Sequence, residues 1–147
     1  MALSAKQVAV GAELPVTTMT VTRGDLVRYA GASEDFNPVH WSPRVAREAG
    51  LPEVIAHGML TMAIAARTLT GWTGDPAAVV EYHARFTRPV FVPDVPEGTS
   101  VEVRGKVALL LEDGLVRVDL TVTSGGTKVL GEVRAVVRPP RPRDSTV

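Results

Sequence analysis

The stretch from Tyr29 to Pro43, YAGASEDFNPVHWSP, places an acid, an amide and an imidazole within six residues: Asp35, Asn37 and His40. Pro38 lacks an amide hydrogen and pushes Asn37 toward extended geometry, which predicts an irregular loop. A turn at Pro38 would bring His40 back beside Asp35 and Asn37. Such a trio suits proton transfer to or from an oxygen, although turn formation alone also explains Asp and Asn before proline.

A second short segment, AHGM from Ala56 to Met59, precedes a long apolar run. Gly58 lacks a Cβ, so a ligand can approach its N–H, and the first N–H groups of a helix are unpaired. A carbonyl oxygen that gains negative charge would be stabilised there, as in an oxyanion hole. The alternative is that Gly58 only allows tight packing while His57 caps or stacks.

Elements that could position these residues follow from periodicity. TTMTVT, Thr17 to Thr22, alternates as a short strand, and Thr22 is a plausible N-cap for a helix that Gly31 would end. The run from Ile55 to Trp72 is apolar on nearly every side and predicts a central helix with Gly71 at its C′ position. Such a helix requires cover from all directions.

From Val79 onward the chain is strand-like. Val80, Tyr82, Ala84 and Phe86 alternate with polar residues, and Asp113-Gly114 and Gly125-Gly126 predict hairpins that delimit three further strands. One central helix and a curved antiparallel sheet of about five strands wrapped around it make a single α+β domain of hot-dog type, predicted over residues 1–138. Residues 139–147 are predicted to be a disordered, proline-rich tail.

Composition narrows the function classes. The 147 residues are 45% hydrophobic, and 16 Lys plus Arg offset 16 Asp plus Glu, so no overall charge favours nucleic acid or an anionic membrane. The absence of cysteine excludes a disulfide framework, a thiolate zinc site and a cysteine nucleophile. No segment has the pattern of a signal peptide or a membrane span, which favours a cytoplasmic setting.

Taken together, YAGASEDFNPVHW and AHGM resemble the hydratase-2 motif of the MaoC-like hot-dog family of (R)-specific enoyl thioester hydratases and (3R)-hydroxyacyl dehydratases. The similarity continues through the central helix and RFTRPV. Within this family the chain looks closest to the catalytic subunit of HadAB-type (3R)-hydroxyacyl-ACP dehydratases. The resemblance implies a hydro-lyase of fatty acid or polyketide metabolism that interconverts trans-2-enoyl and (3R)-3-hydroxyacyl thioesters.

Matching motif positions implies roles for four residues. Asp35 and His40 correspond to the catalytic pair, Asn37 to the residue that orients the water or hydroxyl, and Gly58 to the donor for the thioester carbonyl. Glu34 stands where the family normally has glycine; it adds a Cβ and a charge, and it would be strained if the position requires positive φ. The segment VFVPDVPEGT replaces a compact Gly-Asp turn and leaves the shape of the substrate entrance open.

The implied elimination needs no metal, flavin or nicotinamide. Arg85 and Arg88 could contact the phosphate of CoA or a carrier protein's pantetheine arm, whereas His83 is predicted to be a surface residue. A homodimer is the default expectation, and a heterodimer with a second hot-dog subunit competes with it. Two alternatives are a hot-dog thioesterase, which normally uses a carboxylate in the central helix, and a non-catalytic partner subunit.

Overall fold

A computed structural model describes residues 5–140 of the chain. Within that range one antiparallel sheet contains five strands: β1 (Thr17–Val21), β2 (Val79–Phe86), β3 (Thr99–Leu110), β4 (Val116–Ser124) and β5 (Thr127–Val137). Their spatial order is β1-β3-β4-β5-β2, so β1 and β2 form the edges. A five-residue connection joins β3 to β4 and a two-residue turn joins β4 to β5, at the two predicted hairpin positions, which confirms those hairpin predictions.

Three α-helices precede the main body of the sheet: α1 (Arg23–Ser33), α2 (Pro43–Glu48) and α3 (Gly58–Thr73). Short 3₁₀ turns also occur at Ala5–Val8, Pro38–His40, Pro76–Ala78 and Glu112–Gly114. Thr22 caps α1, as the sequence predicts, and the structure adds a reciprocal capping box with Asp25. The long helix α3 is the central helix of the hot-dog fold, and it contacts β2 and β3.

The core lies between α3 and the concave face of the sheet. Ile64, Ala65 and Leu69 of α3 are at most 4% exposed. They pack with alternate residues of the inner strands, which follow the two-residue period of a half-buried sheet: Val101, Val103, Val107, Val118, Leu120 and Val122. Tyr82 ties the edge strand to the helix, because its hydroxyl donates to the carbonyl of Met62 at 2.7 Å. Burial raises the pKa of Tyr82 to about 12.

Helix boundaries differ from the sequence prediction in three places. Gly31 does not end α1, which continues to Ser33 and ends with Glu34 in the left-handed region at φ 60°. The central helix begins at Gly58, not at Ile55, and Gly74, not Gly71, is its left-handed C-terminal residue. Glycine is permitted inside a helix as well as after it, so the pattern alone placed the stops too early.

The burial of side chains in α3 and β2 also differs from what their hydrophobic patterns predict. Thr61, Thr68 and Thr73 of α3 are buried, whereas Met59 is 57% exposed, so the helix is not covered on every side. Val80 and Phe86 of β2 are 49% and 53% exposed, because β2 is an edge strand whose apolar side extends beyond the core. No helix among residues 5–140 is long and apolar enough to cross a bilayer. Residues 141–147 of the predicted tail lie outside the described residues.

Candidate active site

The loop after α1 holds its polar side chains through local hydrogen bonds. Asp35 Oδ1 accepts from the backbone N–H of Asn37 at 3.2 Å, and Asn37 Oδ1 accepts from Val39 N–H at 3.2 Å. Asn37 therefore caps the 3₁₀ turn Pro38–His40, which the fixed φ of Pro38 favours. The Trp41 indole N–H braces the loop by donating to the carbonyl of Phe36 at 3.0 Å.

This turn carries His40 back toward Asp35, as the sequence predicts. His40 Nε2 lies 3.9 Å from Asp35 Oδ2, and the His40 side chain is 10% exposed whereas that of Asp35 is 53% exposed. His40 Nδ1 lies 2.7 Å from the carbonyl of Ile55. Because a carbonyl only accepts, Nδ1 carries the proton and Nε2 presents a lone pair toward Asp35.

Burial sets the charge state of His40. Desolvation lowers the pKa of His40 below its ordinary value of 6.5, and the neighbouring His57 lowers it further. The hydrogen bond with Ile55 and the charge of Asp35 act in the opposite direction without cancelling the effect. Near pH 7 His40 is therefore a neutral imidazole with an available lone pair, which is the form a general base requires.

A second histidine, His57, completes the cluster. Its ring stacks on that of His40, with centroids 3.7 Å apart and planes at 23°. His57 Nε2 lies 3.1 Å from the carbonyl of Asp35, and the Tyr29 ring packs on His57 at 4.9 Å. His57 is 2% exposed. The sequence left open whether His57 caps the helix or stacks, and in the structure it stacks.

Gly58 and His40 line the same cavity of about 300 Å³, whose remaining walls are mostly apolar: Ile55, Ala56, Thr61, Phe86, Thr87, Arg88, Pro89, Val90 and Leu130. Gly58 is the first residue of α3, so its N–H has no acceptor within the helix, and none is recorded among the other described residues. A Cβ at Gly58 would lie 3.1 Å from the Phe86 ring, so glycine leaves space there.

The remaining candidates lie farther from this cavity. Asp35 and Asn37 do not line it; they stand beside it on the exposed loop. Arg88 lines it and also a second cavity of about 310 Å³, whereas Arg85 lines neither of these two cavities. His83 is exposed on β2, opposite Arg134 of β5, and this agrees with the surface position predicted for it.

Glu34 adopts φ 60° and ψ 18°, so the position does require the left-handed region that its family glycine would enter freely. The strain anticipated for a residue with a Cβ is therefore present, at a cost of about 1 kcal/mol. The conformation turns the chain from the end of α1 into the Asp35 loop. Glu34 thus affects the loop through its backbone.

Asp35, His40 and His57 are the one group among the described residues whose donor atoms lie close enough, within 4.8 Å of one another, to be considered for a metal ion. Each imidazole already has one nitrogen directed at a backbone carbonyl. The rings are nearly parallel, so their in-plane lone pairs run side by side instead of converging on one point. The donor set fits proton transfer better than coordination.

Three contributors to the site were not singled out from the sequence: Tyr29, Thr61 and Phe86. Tyr29 belongs to the same quoted stretch as Asp35, yet only α1 turns its ring toward His57. Thr61 lies one turn into α3, where its hydroxyl donates to the His57 carbonyl at 3.4 Å. Phe86 looked like a core residue of β2, and no short-range signal indicates that its ring covers Gly58.

Fold and site together define a hot-dog domain with a histidine–aspartate pair at the start of its central helix. Residues 6–125 match the family described as MaoC like domain, and the chain belongs to this family. The (R)-specific enoyl-CoA hydratase of Rhodospirillum rubrum is 32% identical over 123 residues, which cover 83% of this chain and 83% of that protein. The family resemblance drawn from the sequence is thereby confirmed.

Other relatives are longer. The 3-hydroxyacyl-thioester dehydratase X of Mycobacterium tuberculosis is 37% identical over 79 residues, which are 54% of this chain but 27% of that protein. A solved structure of a MaoC-like dehydratase superposes with a TM-score of 0.87 at 43% identity, covering 90% of this chain and 41% of that one. The chain thus spans about a quarter of dehydratase X and less than half of that structure.

Proposed function

We propose that this chain is an (R)-specific hydro-lyase that interconverts trans-2-enoyl and (3R)-3-hydroxyacyl thioesters of fatty acid or polyketide metabolism. One observation carries the proposal: the lone pair of His40 Nε2 faces Asp35 at 3.9 Å, beside a cavity that the unpaired N–H of Gly58 also borders. A base, a second proton-transfer group and an oxyanion donor are the parts that elimination next to a carbonyl requires.

In the dehydration direction, His40 removes the proton from the carbon α to the thioester carbonyl. Its lowered pKa supports this role, because the imidazole is neutral near pH 7. The proton on Nδ1 is held by the Ile55 carbonyl at 2.7 Å, so Nε2 is the atom that accepts. A buried base with one fixed tautomer needs little reorganisation before it reacts.

The Gly58 N–H stabilises the enolate that forms as the α C–H bond breaks. The amide stands at the N-terminus of a 16-residue helix, where the dipole favours negative charge. The thioester carbonyl would reach it past the Phe86 ring, which lies close to Gly58. As the electron pair moves to form the C=C bond, the β C–O bond breaks and the hydroxyl departs.

Asp35 supplies the proton that lets the hydroxyl leave as water, directly or through a bridging water. Its exposed carboxylate and the Asn37 side-chain NH2, for which no hydrogen bond is recorded among residues 5–140, lie on the loop beside His40, where they can hold that water. Hydration follows the same path in reverse: Asp35 and His40 activate the water, and the α carbon is protonated. One hydroxyacyl thioester gives one enoyl thioester and one water, and the proton that His40 gained returns to Asp35 before the next turnover.

Arg88 is our candidate for the phosphate of CoA or of a carrier protein's pantetheine arm, with Arg85 as a weaker one. Arg88 has no ion pair among the described residues and borders both cavities. A guanidinium without an acidic partner is available for a phosphate oxygen. The neutral, hydroxyl-bearing walls of the second cavity, Thr99, Ser124 and Thr127, suit the polar amides of a pantetheine arm.

We also propose that a second hot-dog subunit, either a copy of this chain or a different one, covers the site. Large apolar side chains are exposed around it: Phe36 at 61%, Met59 at 57% and Phe86 at 53%. Trp41, 52% exposed, is on the same loop. Apolar residues grouped in this way mark association surfaces more often than isolated ones do. A cytoplasmic location is part of the same proposal.

The thioesterase alternative has weaker support. Helix α3, Gly58–Thr73, contains no acidic residue that could activate water beside the thioester. The non-catalytic alternative is also weaker, since Asp35 and His40 are both present and face each other. A hydro-lyase gives a hydroxyacyl thioester, a thioesterase gives a free thiol, and a non-catalytic subunit gives neither, so one assay separates the three functions.

The assay follows loss of the enoyl thioester absorbance with short and long acyl chains, with a thiol reagent in a parallel sample. We expect absorbance loss without release of free thiol. Thiol release at the same rate would favour the thioesterase instead. If the isolated chain is inactive, the same assay with a neighbouring-gene hot-dog subunit tests whether a partner is missing; inactivity there as well would contradict the proposal.

A further inference from the structure

His57 contacts each part of the proposed site, although the mechanism above gives it no task. Its ring stacks on His40 at 3.7 Å, and its Nε2 lies 3.1 Å from the carbonyl of Asp35. Its backbone forms the N-cap of α3, directly before Gly58. One buried residue therefore joins the proposed base, the proposed acid and the proposed oxyanion donor.

We propose that His57 is a positioning residue that holds Asp35, His40 and Gly58 in their working geometry. The proposal rests on the proposed hydro-lyase function for its kinetic consequences. Its structural content, the two orientations that His57 enforces, can be measured without any substrate. His57 touches no reacting atom and is not offered as a catalytic residue.

Two contacts orient the catalytic pair. The stack with His40 fixes the plane of the His40 ring, while the Ile55 carbonyl fixes its rotation by holding Nδ1. The hydrogen bond to the Asp35 carbonyl requires the proton of His57 to be on Nε2, because a carbonyl accepts only. That bond anchors a loop whose other contacts to Asp35 are local. A displacement of about 1 Å in such a group costs on the order of 100-fold in rate.

The other nitrogen of His57 argues against a packing role alone. Nδ1 is buried and has no hydrogen-bond partner in the described part of the chain. A buried unsatisfied acceptor is destabilising, and an apolar ring of similar size would avoid that cost. A residue kept only for packing would not need either nitrogen. The use of Nε2 on Asp35 is the feature that an apolar ring cannot reproduce.

Two variants separate the contacts. His57→Phe keeps a ring for the stack but removes the donor to Asp35, and His57→Gln keeps an amide donor but removes the ring. We expect each to lower kcat about 10- to 100-fold while KM changes less than about threefold. Full kcat per folded molecule in both variants would overturn the proposal, even if the melting temperature falls.

Thr68→Val is the matched control. Thr68 Oγ1 is the other buried side-chain atom recorded without a partner, and it is on the same helix but away from the cavity. Removing it should leave kcat and KM unchanged and should not lower the melting temperature. A loss of kcat in Thr68→Val equal to that in the His57 variants would show that the kinetics report general helix perturbation, and would contradict the proposal.

Histidine NMR provides the readout that needs no activity. The chain has three histidines, so the imidazole signals of His40, His57 and His83 can be assigned with single variants. In the wild type we expect His57 with its proton on Nε2 and His40 with its proton on Nδ1. The opposite tautomer at His57 would overturn the proposal without any variant having to fold.

The same spectra follow the titration of His40. The titratable groups that face His40 are Asp35 and His57. Those that face His57 are Tyr29 and His40. Burial is the main cause of the lowered pKa of His40, so loss of the stacked ring in His57→Gln should move the His40 titration to higher pH. If the wild type hydrates no thioester but these NMR results hold, the proposed function fails and the positioning role stands.

Discussion

The chain has two places where a histidine stands near an acid, and they differ in almost every physical respect. His40 is buried beside Asp35 next to a largely apolar cavity of about 300 Å³. His83 is exposed on β2 and lines a larger cavity of about 380 Å³ with Glu81, Arg117 and Arg134. Within residues 5–140, only the first has an imidazole nitrogen fixed by a backbone carbonyl.

The difference shows that residue type and proximity are insufficient for acid–base chemistry. At His83 the surroundings are charged and open to water, so charges are screened and side chains can move. At His40, burial lowers the pKa, and the Ile55 and His57 contacts fix the tautomer and ring plane. The comparison therefore predicts that chemistry depends on the smaller cavity and not on the larger one.

Removal of the catalytic pair should give the largest effect. His40→Ala and Asp35→Asn should each lower the hydration rate at least about 100-fold, because each loses a proton-transfer group. His83→Ala is the matched control and should stay within about twofold, since its site is solvated. Steady-state kinetics on an enoyl thioester measure all three. Equal losses in the three variants would erase the distinction between the two histidine sites.

Gly58→Ala should follow, with a rate loss of about 10- to 100-fold, because the added Cβ crowds Phe86 and obstructs approach to the oxyanion donor. Gly71→Ala is the control on the same helix, where a Cβ meets nothing within 4 Å. It should leave the rate unchanged and stabilise the protein by about 0.5–1 kcal/mol. An unaffected rate in Gly58→Ala would remove the oxyanion role.

The pH dependence should reflect His40 and not His83. Burial lowers the pKa of His40 below 6.5, so kcat/KM should be constant around pH 7. It should fall only below pH 6.5, by about tenfold per pH unit, as His40 becomes protonated. Below pH 6.5 the His40 imidazole binds a proton more readily in the unfolded chain than in the folded one. The contribution of His40 to the free energy of unfolding is therefore complete above pH 6.5 and is lost as the pH falls. A value of kcat/KM that already falls as the pH is lowered from about 8 to about 7 would contradict the lowered pKa of His40.

Arg88→Ala should raise KM about 3- to 10-fold for CoA thioesters and leave it unchanged for thioesters without a phosphate, such as those of N-acetylcysteamine. Arg85→Ala is the paired variant and should have the smaller effect, since Arg85 lines neither cavity. Equal increases in KM with both substrate types would show that Arg88 does not read the phosphate.

Glu34→Gly should produce the smallest change. Relief of the left-handed strain is largely offset by greater freedom of the unfolded chain, leaving a gain of at most about 0.5 kcal/mol. The melting temperature should rise by at most about 2 °C. Asp113, at φ 58°, and Glu132, at φ 50°, are also exposed acids with a left-handed backbone, and Asp113→Gly is the comparison variant. A destabilised Glu34→Gly would indicate an unrecognised contact of the Glu34 side chain.

Sequence predicted much of this arrangement because its signals are local. The N-cap at Thr22, the two hairpins and the turn at Pro38 depend on neighbours within a few residues. The convergence of Asp35 and His40 follows from that turn. Asn37 was expected to orient water, and the structure adds a capping bond to Val39, which leaves the water-orienting role a prediction.

The rest depended on contacts between distant segments. The stack of His57 on His40 joins residues 17 apart, and the closure of the cavity by Phe86 joins β2 to α3. Exposure of Val80 depends on β2 being an edge strand, which a two-residue period cannot reveal. The sequence does not reveal the end of α1 at Glu34, because glycine is the usual stop whereas a strained non-glycine residue occupies that conformation.

The most direct test of the acid–base pair is the product itself. A trans-2-enoyl thioester incubated with the wild type, with or without a second hot-dog subunit, should give the (3R)-3-hydroxyacyl thioester with the thioester bond intact. Chiral chromatography of the product decides the configuration. The double variant Asp35→Asn/His40→Ala should give none. A (3S) product, a free acid in place of the hydroxyacyl thioester, or undiminished hydration by the double variant would contradict the account.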